Sequence, residues 1–86
     1  MKAFVYVRYK ESVLDPQGEA VARALRGQGY QQIESVRQGK FFELRLRATS
    51  RGAAEKLLAE ISERVLSNPI IEEFRFELPS DDGPRS

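Results

Sequence analysis

Eighty-six residues make one small domain, since chains divide into several only well above ~200 residues. A hydrophobic fraction of 41% with 14 basic against 13 acidic side chains marks the chain as globular. The absence of Cys and His excludes disulfides, thiolate or imidazole metal ligands, Cys nucleophiles and His general bases. A net charge of +1 argues against a nucleic-acid module, whose affinity rests on clustered cations.

Residues 2–9 alternate, with Ala3, Val5, Val7 and Tyr9 on one face and Phe4, Tyr6 and Arg8 on the other, which predicts a strand apolar on both sides. Asp15 then suits an N-cap and Pro16 the first helical position, where its missing N–H has no intrahelical partner anyway. Leu14, Gly18, Val21, Ala22 and Leu25 recur at spacings of three and four, and Gly27 and Gly29 end the helix. Gly18 is costly inside a helix, by about 1 kcal/mol relative to Ala, and close packing of the helix on the sheet beside Ala22 is the expected reason.

Residues 33–37 read as a short strand turning at Gln38-Gly39 into a second arm. That arm places Phe42, Leu44, Leu46 and Ala48 on one face and Phe41, Glu43, Arg45 and Arg47 on the other. Ser50 caps a second helix whose Ala54, Leu57, Leu58, Ile61 and Val65 form an apolar stripe, stopped by Asn68-Pro69. Residues 70–78 form a last strand, with Phe74, Phe76 and Leu78 inward and Glu73, Arg75 and Glu77 outward.

The order βαββαβ predicts an α+β, two-layer, ferredoxin-like or split βαβ fold, with a four-stranded antiparallel sheet and two helices on one face. One domain over residues 1–78 and a disordered tail over 79–86 are expected. The other sheet face is left bare. Phe4, Tyr6, Phe41 and Ile71 would form its apolar centre, with Arg8, Glu43, Arg45, Glu73 and Arg75 interspersed, as at a protein interface. A chain this short buries only ~60% of its unfolded surface, so self-association into a dimer or higher oligomer would add stability.

Charge is divided along the chain. Residues 1–51 carry 10 basic and 5 acidic side chains, net +5, and residues 52–86 carry 4 and 8, net −4, which sum to +1. Arg37, Lys40, Arg45 and Arg47 make a basic strip on the hairpin, either a solvated rim or a contact for an acidic partner.

Catalytic constellations are absent from the pattern. The loop after the first strand, Lys10-Glu11-Ser12-Val13-Leu14, has no glycine to cradle phosphate, and Glu11 would repel it. Glu72 and Glu73 point to opposite faces of a strand, Asp81 and Asp82 lie in the tail, and Ser12, Ser35 and Ser50 have no imidazole to activate them. An RNA-recognition sheet would need a second stacking ring where Glu43 stands. No stretch approaches the ~20 apolar residues that span a bilayer, and the N-terminal run has no small-residue cleavage site. A cytoplasmic protein with no membrane or nucleic-acid partner is expected.

Three segments together resemble the PurS family, the small subunits of phosphoribosylformylglycinamidine synthase. They are Asp15-Pro16-Gln17-Gly18 with the preceding Leu14, Val36-Arg37-Gln38-Gly39-Lys40 at the hairpin, and Leu66-Ser67-Asn68-Pro69-Ile70-Ile71-Glu72 entering the last strand. The resemblance covers residues 2–78 and departs from the family pattern in Arg45, Arg47 and the tail. It implies a non-catalytic, homo-oligomeric subunit, dimer or tetramer, of an ATP- and glutamine-dependent ligase of purine biosynthesis. It further implies a bridge between a glutaminase and a synthetase subunit that helps ammonia pass between them. The chain itself would bind no cofactor or metal, with ATP, magnesium and glutamine used by the partners. The alternative from another class is a stand-alone ferredoxin-like regulatory module that binds a small metabolite.

Overall fold

The computed structural model describes residues 1–79. Alternation of apolar and polar side chains produces β1 (Lys2–Tyr9), whose Ala3, Val5 and Val7 are buried while Phe4, Tyr6 and Arg8 face the other way. Helix α1 (Pro16–Gly27) begins as expected, with Asp15 at the N-cap and proline at the first position. It ends by Gln28, followed by Gly29 at a φ of 102°. Strand β2 (Gly39–Arg45) and helix α2 (Arg51–Ile61) follow, the latter capped by the Ser50 hydroxyl, which accepts from the Ala53 N–H at 3.1 Å. One wider π-type turn (Ser62–Leu66) extends α2, and the Ser67 hydroxyl closes it by donating to the Ser62 carbonyl at 2.7 Å. Strand β3 (Glu72–Glu77) completes the sheet.

The fold is α+β, with three antiparallel strands in the order β2-β1-β3 where four were expected. Residues 33–38 form no strand. A two-residue turn at Gln38-Gly39 would set Arg37 opposite Lys40 and Glu34 opposite Glu43, two like-charge pairs that a ladder disfavours. Residues 37 and 38 are instead engaged elsewhere. The Arg37 guanidinium donates to the carbonyls of Tyr9 and Lys10 at 2.9 and 2.7 Å, and the Gln38 N–H donates to Asp15 at 2.8 Å. Gly39 has no positive φ and serves as the first residue of β2, opposite Arg8 and packed on the Val7 carbonyl, where it was expected to form a turn.

The core lies between one sheet face and α2. Ala3, Val5, Val7, Ala54, Leu58 and Leu78 are buried there, with Phe42, Leu44, Leu46, Phe74 and Phe76 packed at its margin. Both inner faces are those that the alternation predicts. The buried residues of α1, Gly18 and Ala22, lie outside this cluster, so of the two helices only α2 supplies it. Gly18 is therefore not a sheet-packing residue. A Cβ there would collide with the Val36 carbonyl oxygen and approach Asp15 Oδ2 to 2.8 Å, so the helix lies against the 30–38 segment. Arg26 reinforces this contact by donating to the carbonyls of Ile33 and Glu34 at 3.0 and 3.3 Å. No helix among the described residues is long and apolar enough to cross a membrane. Of the anticipated tail, residues 80–86 lie outside the described residues.

Candidate functional site

Strand register maps the uncovered sheet face row by row. Arg45 lies opposite Lys2; Glu43, Phe4 and Glu77 form the next row; Phe41, Tyr6 and Arg75 the third; Gly39, Arg8 and Glu73 the fourth. Phe41 is 57% exposed, and its ring stacks on Phe4 at 5.6 Å and tilts against Tyr6 at 5.3 Å. Arg75 lies over the Tyr6 ring at 4.1 Å, a cation–π contact. The Tyr6 hydroxyl donates to Glu77 at 3.0 Å, and this bond, with the adjacent carboxylate charge, raises the phenol above its ordinary 10.

Ion pairs rim the aromatic centre. Arg8 binds Glu73 at 2.7 Å, Lys2 binds Glu43 at 3.4 Å and Arg75 binds Glu77 at 3.2 Å. The structure thus brings together Phe4, Tyr6, Arg8, Phe41, Glu43, Arg45, Glu73 and Arg75 as the alternation predicts. Ile71 is not among them. It lies in the turn before β3, where its N–H donates to the Asn68 carbonyl and its own carbonyl accepts from the Lys10 N–H at 2.9 Å. Glu77 as the acceptor for Tyr6 was not foreseen, although its parity with Arg75 on one strand face could have shown it.

A cleft of about 670 Å³ opens on this face, with Tyr6, Arg8, Arg37, Lys40, Phe41 and Arg75 among its lining residues. Its cations are already engaged: Arg8, Arg75 and Lys40 by carboxylates, the last with Glu72 at 3.5 Å, and Arg37 by two carbonyls. The basic strip is therefore divided. Arg37 and Lys40 hold the chain together, while Arg45 and Arg47 have no ion pair among the described residues.

The three sequence motifs meet at one end of the sheet. Asp15, only 4% exposed, accepts from Gly18 N–H through Oδ1 at 3.0 Å and from Gln38 N–H through Oδ2 at 2.8 Å. Gln17 accepts from the Gln38 side chain at 3.2 Å. Asn68 shapes the third motif. Its Oδ1 accepts from Ile70 N–H at 3.1 Å and its N–H donates to Glu72 at 2.7 Å, the same residue that pairs with Lys40. Asp15 is thus a helix cap and a clasp on the segment that leads into β2.

These bonds to the ionised carboxylate, first from Gly18 and next from Gln38, lower the Asp15 carboxyl below its ordinary range, with the Arg37 charge adding to them. A depressed carboxylate contributes stability that is fully present above about pH 4 and is lost as pH falls through the lowered value. Asp15→Asn is expected to lower the melting temperature at pH 7 and to flatten the acid limb of a melting-temperature-against-pH curve. An unchanged acid limb would contradict the clasp.

Comparison with known proteins gives one family. The family model for PurS, phosphoribosylformylglycinamidine (FGAM) synthase, matches residues 2–80. The chain is 44% identical over 77 residues to the phosphoribosylformylglycinamidine synthase subunit PurS of Bacillus subtilis, covering 90% of each chain. It is 42% identical to that of Archaeoglobus fulgidus, covering 86% of this chain and 92% of the relative. Among solved structures, a chain in the structure of PurLQS from Thermotoga maritima superposes with a TM-score of 0.79 at 30% identity, covering 88% of this chain and 94% of that one. The Bacillus subtilis PurS structure superposes with the same score at 45% identity and the same coverage.

Proposed function

Since the chain belongs to the PurS family, accessory subunits of phosphoribosylformylglycinamidine synthase, we propose that it acts as a homo-oligomeric bridge between the glutaminase and ATP-dependent synthetase subunits. It works in purine biosynthesis, in the cytoplasm, and supports transfer of ammonia from one partner to the other. ATP with magnesium, and glutamine, are handled by the partners. The observation that carries this reading is the place of a relative of the same fold in the Thermotoga maritima PurLQS structure.

The physical case is independent of the name. Free ammonia is diluted and protonated in bulk water, so productive transfer requires two sites held together with solvent restricted between them. A rigid adaptor does this with no acid, base or nucleophile. The uncovered sheet face has the anatomy for it, an aromatic centre of Phe4, Tyr6 and Phe41 inside a rim that contains Arg8, Glu43, Arg45 and Arg75. The metabolite-binding alternative finds little support, because the cleft on this face spends its cations on the chain's own carboxylates and carbonyls.

Phe41→Glu tests the surface directly. Phe41 is more than half exposed, so the variant should fold normally by circular dichroism. Co-elution with the glutaminase and synthetase subunits on size exclusion, with glutamine and nucleotide present, should fall by an order of magnitude or more, since aromatic anchors dominate interface energy. Unchanged co-elution would remove the sheet face from the assembly.

A further inference from the structure

The cleft on the uncovered sheet face holds one positive charge that no carboxylate cancels. Four cations line it, Arg8, Arg37, Lys40 and Arg75, against a single carboxylate, Glu73. Glu73 pairs with Arg8, while Glu72 and Glu77, which do not line the cleft, pair with Lys40 and Arg75. Arg37 has no ion pair among the described residues. Its bonds to the carbonyls of Tyr9 and Lys10, at 2.9 and 2.7 Å, both leave from Nη2. They fix the guanidinium without neutralising it, and its Nε–H and Nη1 groups have no partner among the described residues.

The strand beside that charge leaves room for a visitor. Gly39 shares the cleft-facing side of β2 with Phe41, in the next row, and has no side chain to fill its place. A Cβ there would collide with the Val7 carbonyl oxygen, so the row stays empty in this backbone. The cleft therefore combines an exposed aromatic wall at Phe41, an empty row at Gly39 and a guanidinium held in position with donors to offer.

We propose that this cleft receives an acidic loop of one partner subunit, whose carboxylate accepts from Arg37 and whose apolar neighbour packs on Phe41. The proposal rests on the bridging reading above and adds the contact and its chemistry. Charge complementarity selects the occupant: three of the four cations are matched by the chain's own carboxylates, and the fourth lacks one negative charge. A lone cation in an open cleft is too weak to hold a free anion, since exposed pairs contribute little in water. The same cation beside an aromatic anchor adds to a contact that already excludes solvent, where a charge-assisted bond is stronger. Arg37 is thus both a tie between chain segments, through Nη2, and a point of recognition through its remaining donors.

The test is the affinity of the full chain and its variants for the separate glutaminase and synthetase subunits, by surface plasmon resonance with glutamine and nucleotide present. Arg37→Gln should weaken binding to one of them roughly tenfold, while Arg37→Lys, which keeps the charge, should stay within about threefold of the unaltered chain. Glu73→Gln releases Arg8 to the cleft and should tighten the same binding about threefold, more so at low salt. That gain separates recognition from support, because loss of a merely structural tie cannot strengthen a contact. Glu73 is an exposed partner in a surface pair, so its variant folds even if Arg37→Gln does not. Equal losses in the two Arg37 variants with no gain from Glu73→Gln, or unchanged affinities throughout, overturn the cleft as the docking point. A changed oligomer size in the variants alone, with partner affinity unaltered, shows a second copy as the occupant and overturns it too. An unaltered chain that binds neither subunit overturns the bridging reading itself.

Discussion

Leu58→Asp is expected to leave no cooperatively folded chain. Leu58 is 0% exposed at the centre of the cluster of Ala3, Val5, Val7, Ala54 and Leu78. The substitution removes its packing and buries a carboxylate with no partner, a combination that costs about 4 kcal/mol or more. A chain of 86 residues has only about 4–13 kcal/mol of stability to lose. Its neighbour is the control. Leu57 is 40% exposed, and Leu57→Asp should change stability by less than about 1 kcal/mol in urea unfolding. Equal losses at the two positions would show that α2 is not docked through Leu58.

Gly18→Ala carries the second large effect, and its sign is diagnostic. Helix propensity alone makes alanine better than glycine by about 1 kcal/mol. At this position, however, the new Cβ collides with the Val36 carbonyl oxygen, lies 2.8 Å from Asp15 Oδ2 and lies 3.0 Å from the Val36 carbonyl carbon. Two of those contacts are backbone, which cannot rotate away, so the outcome is displacement of the 36–38 segment. A net destabilisation of about 1–3 kcal/mol is expected, with a lower urea midpoint. Stabilisation would mean that the helix and the segment are not held together as described. Gly27 supplies the comparison, since a Cβ there meets nothing within 4 Å.

Features set by local chemistry were legible in the sequence, and those set by distant competition were not. The faces of β1 and β3 follow from strict alternation, so Phe4, Tyr6, Arg8, Glu73 and Arg75 fall together as read. The Asp15 and Ser50 caps follow from residue type and position. The second bond of Asp15 was hidden, because its partner Gln38 lies 23 residues away. That bond, with Arg37 on the carbonyls of Tyr9 and Lys10, removes the hairpin that Gln38-Gly39 advertises. Gly18 was marked as needing a close neighbour, but its spacing carries no information on whether that neighbour is sheet or loop. Ile71 shares the parity of the β3 outer face yet precedes the strand, held in a turn by Asn68.

The decisive measurement is amidine formation by the glutaminase and synthetase subunits, with and without this chain, using glutamine or ammonium as nitrogen source. Omission should abolish the glutamine-dependent rate and spare the ammonium-dependent one, because only delivery between sites is lost. An equal glutamine-dependent rate without the chain, or turnover by the purified chain alone, would contradict its role as a bridge.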